Sequence, residues 1–281
     1  MQNYQLSIIT INYNDSIGLK KTMESVKAQS YKDFEHIVID GNSNDDSLEV
    51  IKSYNYNNLK YISEPDSGIY NAMNKGIKRS HGEYLLFLNS GDVLENENVV
   101  KSVLPYLNKA YSILSGNLIF DEEKGRRLRE HPNEISFSYL VGNAISHPST
   151  FIKQELFSKY GNYDENFKIV SDWAFFLKAL GLNNETYFKI PVTISVFDTK
   201  GISSKEENYE AVYSERRQVL ELFFPRVFNN ANDTYVFNKF ISTNKRFKYL
   251  KVIDKSPFFR KLATLQLGIS VWIINLFRKQ E

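Results

Sequence analysis

The stretch Tyr84-Leu85-Leu86-Phe87-Leu88-Asn89-Ser90-Gly91-Asp92 decides how the rest of the chain is interpreted. Its five apolar or aromatic residues end at a polar turn, a pattern typical of a buried strand in a parallel sheet. In open α/β sheets, ligands bind beyond the carboxyl ends of such strands. Asp92 is therefore expected where a carboxylate can hold a divalent metal against a diphosphate, although an Asp that only forms a turn fits this stretch equally well.

Three strand–helix units precede this strand, and their order predicts the fold. Strands are expected at residues 6–11, 34–39 and 59–63, each followed by a helix. Such alternation favours a parallel, doubly wound sheet. Beyond Asp92 the pattern predicts helices at 99–107, 154–160 and 171–180, strands at 111–120, 126–130, 147–152 and 186–196, and mostly helix from about Glu206.

Composition limits the chemistry that the protein can perform. The 281 residues include no Cys, which excludes a thiol nucleophile, a disulfide framework and a zinc-thiolate site. A net charge of +2 gives no indication of nucleic acid as a partner. The first residues carry neither a basic region nor a long apolar run, so no signal peptide is expected and a cytoplasmic location is predicted.

Polar turns follow three of the expected strands. They contain Thr10, Asn12 and Asn14; Asp40 and Ser43; and Asn89, Ser90 and Asp92. On a parallel sheet these turns share one edge, where their hydrogen-bonding groups can hold a nucleotide. No G-x-G-x-x-G follows the first strand and no G-x-x-x-x-G-K-[ST] occurs in the sequence, so neither a Rossmann dinucleotide site nor a P-loop is predicted.

Three longer motifs resemble the family-2 glycosyltransferases of the GT-A fold. They are Asn12-Tyr13-Asn14, the run from Val38 to Asp45, and the run from Ser63 to Gly76, SEPDSGIYNAMNKG. The resemblance covers about residues 5 to 205. It implies an α/β, Rossmann-like, mainly parallel sheet flanked by helices, and transfer of a sugar from a nucleotide-sugar, with a UDP-sugar as the favoured donor.

The same resemblance assigns roles to individual residues. Thr10, Asn12 and Asp40 match residues that hold the nucleotide base and ribose. The motif after the fourth strand matches the one that holds Mg²⁺ or Mn²⁺ on the diphosphate. Many relatives have two carboxylates there in a D-x-D pattern, whereas Asn89-Ser90-Gly91-Asp92 offers only Asp92. Matches along the nucleotide-sugar fall in the run from Asp66 to Lys75, namely Asp66, Gly68, Asn71, Asn74 and Lys75.

Downstream segments resemble the part of the family that lines the sugar and acceptor cleft. Asp172, in Ser171-Asp172-Trp173, matches the catalytic base, which would take a proton from the acceptor hydroxyl. The alternative is that Asp172 only caps its helix. His147, in the segment from His147 to Phe151, fits a donor or metal contact as well as a packed turn histidine. The second matching segment runs from Phe197 to Ser203 and includes Asp198, whose contact with metal or donor is also open.

The C-terminal tail has a pattern of its own. Basic residues alternate with aromatic ones over residues 245–261, and a mostly apolar helix is expected over 262–277. Sixteen residues are short for a membrane span, whereas basic and aromatic flanks suit the surface of an anionic membrane. Packing on the domain or on a second copy in a homodimer is the alternative. Residues 245–279 are thus a candidate contact with the inner face of the plasma membrane.

The sequence predicts a GT-A domain at residues 1–205 and a helical C-terminal extension at 206–281. The predicted reaction is metal-dependent and uses a carbohydrate hydroxyl as acceptor, and the family resemblance implies inversion at the anomeric carbon. Bacterial surface polysaccharide assembly, such as O-antigen or capsule synthesis on a lipid-linked acceptor, fits the tail. A sugar nucleotidyltransferase and a non-catalytic nucleotide-sugar-binding partner remain alternatives.

Overall fold

Nine strands form one sheet in the part of the chain that the computed structural model describes, which is residues 4–122, 125–199, 201, 206–228, 249, 252–253 and 256–278. The strands are β1 (Tyr4–Asn12), β2 (Glu35–Asp40), β3 (Leu59–Ser63), β4 (Gly82–Phe87), β5 (Val93–Leu94), β6 (Ile113–Glu122), β7 (Gly125–Arg129), β8 (Thr150–Lys153) and β9 (Tyr187–Asp198). Their order is β3-β2-β1-β4-β8-β6-β9-β5, and β7 pairs with β6.

The first four strands are parallel, as the alternation of strands and helices predicts. The sheet then becomes mixed, because β8 runs antiparallel to both β4 and β6. Strands β6 and β9 are parallel to each other, while β5 is antiparallel to β9. The result is an α/β fold in which the parallel half presents the carboxyl ends of β2, β1 and β4 side by side.

Helices connect the strands and cover the faces of the sheet. In chain order they are α1 (Ser16–Lys27), α2 (Ser47–Ser53), α3 (Ile69–Arg79), α4 (Val99–Leu107), α5 (Phe137–Gly142), α6 (Glu155–Tyr160), α7 (Ser171–Phe176), α8 (Tyr209–Phe223), α9 (Pro225–Phe228) and α10 (Pro257–Arg278). The helix expected over 171–180 is α-helical only to Phe176, and a π-helical turn, Leu177–Leu182, replaces the rest. The strand expected from His147 begins with a 3-10 turn, His147–Ser149, before β8.

Close packing between α3 and β1 fixes the parallel half of the sheet. Most apolar side chains of β1 and β4, including Ile8, Ile9 and Leu86, are completely buried. Each such side chain stabilises the fold by roughly 1.5–3 kcal/mol relative to an exposed one. Gly76 lets α3 lie directly on β1, because a Cβ there would come within 2.4 Å of Ile9 Cγ2. The turns that follow these strands are therefore held on a rigid base.

The chain divides into two compact units, residues 1–219 and 220–281. This division falls inside α8, later than the boundary expected at 205/206. In the second unit, α10 spans 22 residues, so it is longer than the expected helix at 262–277. Among the described residues, no helix combines the length and apolar character needed to cross a membrane. Much of the basic run at 245–261 lies outside the described residues.

Candidate active site

The ends of β1, β2 and β4 form one hydrogen-bonded network. Asn12 and Asp40 are paired in register, and Asn12 Nδ2 donates to Asp40 Oδ1 over 2.8 Å. Asn12 Oδ1 accepts a 2.9 Å hydrogen bond from Ser90 Oγ, which links this pair to the turn after β4. Ser43 Oγ accepts from the Asn14 amide over 2.8 Å. The structure therefore brings the three predicted polar turns together.

Asp40 organises this network and is itself completely buried. Its two oxygens accept hydrogen bonds from Asn12, from the Ser43 amide and hydroxyl, and from the Ser63 hydroxyl. A carboxylate has about four lone-pair sites, so these bonds fill them. Burial raises the pKa of Asp40, but the hydrogen bonds from Ser43, Ser63 and Asn12 outweigh it and hold the pKa below the usual value. Asp40 thus holds together the ends of β1, β2 and β3 through Asn12, Ser43 and Ser63.

Thr10 is also completely buried, and its hydroxyl lies 3.0 Å from His36 Nε2. Burial lowers the pKa of His36 to about 3, so this ring is neutral. Thr10 therefore lies in the interior beneath the edge. The resemblance implies a contact between Thr10 and the nucleotide, but the buried Thr10 side chain does not reach the surface of the edge in this structure.

An exposed aromatic ring stands at the same edge. Tyr13 is 66% exposed, and it lies beside Gly41 and Asp66. A Cβ at Gly41 would be 2.4 Å from Asp66 Oδ2 and 3.1 Å from Tyr13 Cδ2, so a larger residue at this position would displace the side chain of Asp66. Nucleotide bases stack on such exposed rings. Tyr13 and Asp66 are thus placed to meet a base next to the network of Asn12.

The other residues of the run from Asp66 to Lys75 hold their surroundings together. Asn74 is buried and binds the backbone of Tyr163, and both Asn71 and Asn74 donate to Glu165 over 2.8 Å. Lys75 Nζ donates to the Pro65 carbonyl and pairs with Glu64 at 3.1 Å. Gly68 precedes α3 with a φ of 135°, a conformation that favours glycine.

A cavity of about 230 Å³ adjoins the turn after β4. It collects most of the polar residues predicted from the downstream half of the sequence. Its lining includes Asn89, Ser90, Asp92, His147, Asp172 and Asp198. These residues come from the end of β4, the turn before β8, the start of α7 and the end of β9. The cavity is therefore the meeting point of the two halves of the sheet.

Asp92 lies deep in this cavity and is only 2% exposed. Its Oδ1 accepts from the Asp198 amide over 3.1 Å, whereas its Oδ2 has no hydrogen-bond partner among the described residues. Burial raises the pKa of Asp92 to about 7, against the opposing effect of His147. A carboxylate in such a place needs a proton or a cation.

The donor set fits a hard divalent cation that shares its coordination with a diphosphate. Asn89 Oδ1 is, like Asp92 Oδ2, buried without a partner, and carboxylate and amide oxygens suit Mg²⁺ and Mn²⁺. The described residues contain no group of three or more His, Cys, Asp or Glu side chains that would form a complete protein cage. Gly91, at a φ of 95°, keeps the turn against Asp198, whose Cβ would be 3.2 Å from an added Cβ.

Asp172 faces the same cavity from the first turn of α7. Its Oδ2 lies 3.1 Å from His147 Nδ1, and its Oδ1 is 3.0 Å from the Tyr70 hydroxyl and 2.8 Å from the Trp173 amide. Burial raises the pKa of Asp172, but the bonds from His147, Trp173 and Tyr70 outweigh it and keep the pKa below its usual value. Asp172 is thus an anion that satisfies one amide of its helix and also presents an edge to the cavity.

His147 joins the two carboxylate sites. Its Nε2 lies 3.2 Å from Asn89 Nδ2, and its Nδ1 faces Asp172. Because Asn89 Nδ2 can only donate, Nε2 is the acceptor of that hydrogen bond. Nδ1 then carries the hydrogen and donates a hydrogen bond to Asp172. Both ring nitrogens are therefore engaged, which favours an orienting role for His147 over a metal contact.

A sequence profile of the family described as Glycosyl transferase family 2 matches residues 7–180. The chain belongs to this family. It is accordingly a glycosyltransferase, and the alternatives of a nucleotidyltransferase and of a non-catalytic binding protein are set aside.

Relatives and solved structures agree with this assignment. An uncharacterized glycosyltransferase of Mycobacterium tuberculosis is 34% identical over 256 residues, covering 86% of this chain and 94% of that protein. A PGL/p-HBAD biosynthesis glycosyltransferase of the same species is 26% identical over 60% of this chain and 67% of its own length.

The crystal structure of Staphylococcus aureus TarS 1–349 with UDP-GlcNAc is similar in fold, with a TM-score of 0.61, 21% identity, and coverage of 80% of this chain and 73% of that one. A mannosyltransferase of Pyrobaculum calidifontis, solved with GDP-Man and Mn²⁺, has a TM-score of 0.58 at 14% identity, with coverage of 82% and 66%. These two likenesses support the GT-A type of α/β fold.

Sequence reasoning missed several residues that this glycosyltransferase brings to the site. Tyr70 bonds Asp172 from α3, although its position in the sequence marks only an apolar helix face. Tyr13 belongs to the motif Asn12-Tyr13-Asn14, but the sequence assigns it no role of its own. Arg129 and Arg216 lie close to Asp172 in space but carry no motif, because β7 and α8 approach the site only through the tertiary fold.

Proposed function

We propose that the protein transfers a sugar from a UDP-sugar to a hydroxyl of a glycan acceptor with inversion at the anomeric carbon. One observation carries the proposal: an anionic Asp172 and the unpartnered oxygens of Asp92 and Asn89 line one cavity. One side suits a cation on a diphosphate, and the other suits a proton acceptor. Transfer of a sugar between a diphosphate and a hydroxyl needs both.

Asp92 and Asn89 would hold Mg²⁺ or Mn²⁺ on the donor diphosphate. The bound ion would supply charge neutralisation for the departing diphosphate. Support comes from the raised pKa of Asp92 and from the buried oxygens of Asp92 and Asn89, which have no hydrogen-bond partner in the described part of the chain. Thr22 stabilises the turn, because its hydroxyl donates to the Asp92 carbonyl over 2.7 Å and accepts from the Gly91 amide.

Asp172 would act as the general base. The acceptor oxygen attacks the anomeric carbon, its proton passes to Asp172, and the bond between that carbon and the diphosphate oxygen breaks with its electron pair on the diphosphate. A single displacement of this kind inverts the anomeric centre. His147 and Tyr70 hold the carboxylate from two sides, so it is oriented before the acceptor arrives.

The nucleotide would lie along the edge formed by β1, β2 and α3. Asn12, Asn14 and Ser43 would contact the ribose and base, while Asp40 and Thr10 act from beneath. The remaining predicted contacts, Asp66, Gly68, Asn71, Asn74, Lys75, Ser90 and Gly91, surround this path. UDP is the favoured nucleotide because TarS of similar fold was solved with UDP and with UDP-GlcNAc.

The acceptor would belong to bacterial surface polysaccharide or glycolipid assembly, of which O-antigen and capsule are examples. Support comes from relatives named for PGL/p-HBAD biosynthesis. Helix α10 would bring the enzyme to the inner face of the membrane, where a lipid-linked acceptor is found. Its exposed apolar residues and the nearby Arg260 and Lys261 suit an anionic interface.

The test is a proton NMR screen of UDP-sugars with Mg²⁺ or Mn²⁺. We expect one UDP-sugar to release UDP slowly into water and to give first the anomer opposite to that of the donor. Release of the retained anomer, or no turnover of any UDP-sugar, would contradict the proposal. GDP-mannose serves as the comparison donor, because a mannosyltransferase of similar fold was solved with it.

A further inference from the structure

A second cavity meets the first one at Asp172 and His147. It has a volume of about 220 Å³, and these two residues line both cavities. Asp92 and Asn89 line only the first cavity. A molecule in the second cavity would therefore reach the proposed base without entering the proposed diphosphate site. An acceptor requires this position. The inference rests on the proposed function, in which Asp172 is the base and Asp92 holds the diphosphate.

Two arginines converge on this second cavity. Arg129 ends β7, and its Nη2 donates to the Ala144 carbonyl over 2.8 Å. Arg216 comes from α8, where its guanidinium carbon lies 4.8 Å from the centre of the Trp173 ring. Arg129 is stacked in a similar way on Phe120, at 5.7 Å. The aromatic rings orient both guanidinium groups but accept few of their hydrogen bonds.

Neither arginine has an anionic partner in the described part of the chain. The ion pairs found there involve other cations, and Arg216 Nε is buried without a hydrogen-bond partner. Among the described residues, Asp172 is the one carboxylate that lines this cavity. Its oxygens are already bonded to His147, Tyr70 and the Trp173 amide. Burial lowers the pKa of Arg216, against the opposing effect of Asp172.

Both arginines are partly buried, and leaving the buried Arg216 Nε without a partner is costly, so an anion that enters the cavity would complete the site. Guanidinium groups bind phosphate and carboxylate groups through paired hydrogen bonds. The aromatic rings of Phe120, Trp173 and Phe197 form apolar walls beside them. Two positive charges would also offset the repulsion between an anionic acceptor and Asp172.

We propose that the second cavity is the acceptor subsite and that the acceptor carries a phosphate or carboxylate group close to the hydroxyl that is glycosylated. Arg129 and Arg216 bind this group. The two sources of such a charge are a phosphorylated or lipid-diphosphate-linked sugar and a uronic acid.

Binding can be measured through Trp173, which forms a wall of the cavity. The chain has two tryptophans, so Trp272→Phe leaves Trp173 as the sole fluorescent reporter. In the presence of Mg²⁺ and UDP, the protein is titrated with glucose 1-phosphate, glucuronate and neutral methyl glucoside. We expect at least one anionic sugar to bind about tenfold more tightly than methyl glucoside. A preference for glucose 1-phosphate indicates a phosphate-bearing acceptor, and one for glucuronate indicates a uronic acid.

Matched variants assign the preference to the two arginines. Arg129→Gln and Arg216→Gln should each weaken the favoured anion about tenfold. Arg126→Gln and Arg217→Gln should not, because Arg126 lies on the other face of β7 and neither residue lines the cavity. Thermal melting shows whether each variant is folded. If Arg216→Gln does not fold, Arg216→Lys replaces it and should retain part of the preference, since it keeps the charge but loses the paired geometry.

The inference is overturned if methyl glucoside binds as tightly as both anions, if none of the three sugars binds, or if the preference survives in both arginine variants. Calorimetric titration with UDP in the same variants distinguishes failure of the acceptor inference from failure of the proposed function. UDP that binds normally while the anion preference is absent removes only the acceptor inference. Failure of UDP to bind the unsubstituted protein removes the proposed function itself.

Discussion

Two carboxylates in the first cavity have opposite electrostatic environments. Asp92 is buried with an unpartnered oxygen, and its pKa is raised to about 7. Asp172 receives hydrogen bonds from His147 and Tyr70, and its pKa is held low. Separated environments of this kind often give paired carboxylates different roles. This difference favours Asp92 as the carboxylate that holds a cation. It favours Asp172 as the carboxylate that is deprotonated and can accept a proton.

The role of Asp172 can be tested by Asp172→Asn. The amide keeps the size of the side chain but cannot accept a proton, so release of UDP from the UDP-sugar should fall by roughly a hundredfold or more. Affinity for UDP should stay unchanged, because the proposed diphosphate site is formed by Asp92 and Asn89 and the amide keeps the size of the Asp172 side chain. Asp164→Asn, at an exposed position, is the control. Turnover in Asp172→Asn close to that of the control would leave Asp172 with only its helical role.

The site residues differ in how far the sequence could reveal them. Asn89, Asp92, His147 and Asp172 belong to local motifs, and the structure brings them into one cavity. Asn74 and Lys75 also belong to a motif, yet their bonds to Tyr163, Glu165 and Glu64 become visible only after folding. Tyr70, Arg129 and Arg216 carry no local signal, since distant elements bring them to Asp172.

At the level of elements, apolar runs predicted β1 to β4 and their parallel order. The antiparallel direction of β8 could not be predicted in the same way. Its four residues, Thr150–Lys153, are apolar enough for either direction, and pairing with β4 and β6 decides between them. The π-helical turn after α7 could not be predicted either, because Leu177–Leu182 continues the apolar pattern of the helix.

Glu185 holds the start of β9 to two other elements. Lys159 and Tyr160 at the end of α6 and Ser112 before β6 all donate to its carboxylate. Burial raises the pKa of Glu185, but the hydrogen bonds from Lys159, Ser112 and Tyr160 lower it to about 2. A carboxyl whose pKa is lower in the folded state stabilises that state above its unfolded pKa, and this contribution is lost as the pH falls through the folded pKa.

We therefore expect Glu185→Gln to lower the free energy of unfolding at pH 7 by about 2 kcal/mol, a value reduced because Lys159 is partly exposed. The difference from the unsubstituted protein should shrink between about pH 4.5 and pH 2. Urea unfolding at several pH values measures it. Glu155→Gln, at an exposed position in α6, should change the free energy by less than about 0.5 kcal/mol. A difference for Glu185→Gln that does not depend on pH would contradict this explanation.

Helix α10 has an exposed apolar stripe at the spacing of helical turns. Its described members are Phe258, Leu262, Leu265, Ile269 and Trp272. Burial of this stripe in an anionic membrane surface, with Arg260 and Lys261 beside the headgroups, is the proposed arrangement. The same spacing would also suit a helix of a second copy.

Flotation with phosphatidylserine-containing vesicles separates these two arrangements. The full chain should float at low salt and less so at high salt, because exposed charges are screened over about 10 Å at 0.1 M. Truncation after Asn244 and Ile269→Glu should abolish flotation. Ser270→Glu should not, because Ser270 does not line the groove that Leu265, Ile269 and Trp272 share. If full and truncated chains float equally or not at all, the membrane proposal is wrong. A concentration-dependent dimer that Ile269→Glu disrupts would instead assign the stripe to a second copy.

At the scale of the first compact unit, the arrangement of the two cavities indicates where the donor and the acceptor would bind. The edge of β1, β2 and β4 leads to the cavity of Asp92, and Asp172 and His147 separate that cavity from the one with Arg129 and Arg216. Donor and acceptor would thus approach one carboxylate from two sides. The central claim is that the donor side binds a nucleotide diphosphate through Asp92 and a divalent cation.

Calorimetric titration with UDP, with and without Mn²⁺, tests this claim most directly because it needs no knowledge of the acceptor. We predict that UDP binds the unsubstituted protein and Asp172→Asn with similar affinity in the presence of Mn²⁺. Its affinity should fall at least about tenfold when Mn²⁺ is withheld or when Asp92 is replaced in Asp92→Ala. Mn²⁺-dependent binding of equal strength in Asp92→Ala, or no binding of UDP to the unsubstituted protein, would contradict the account.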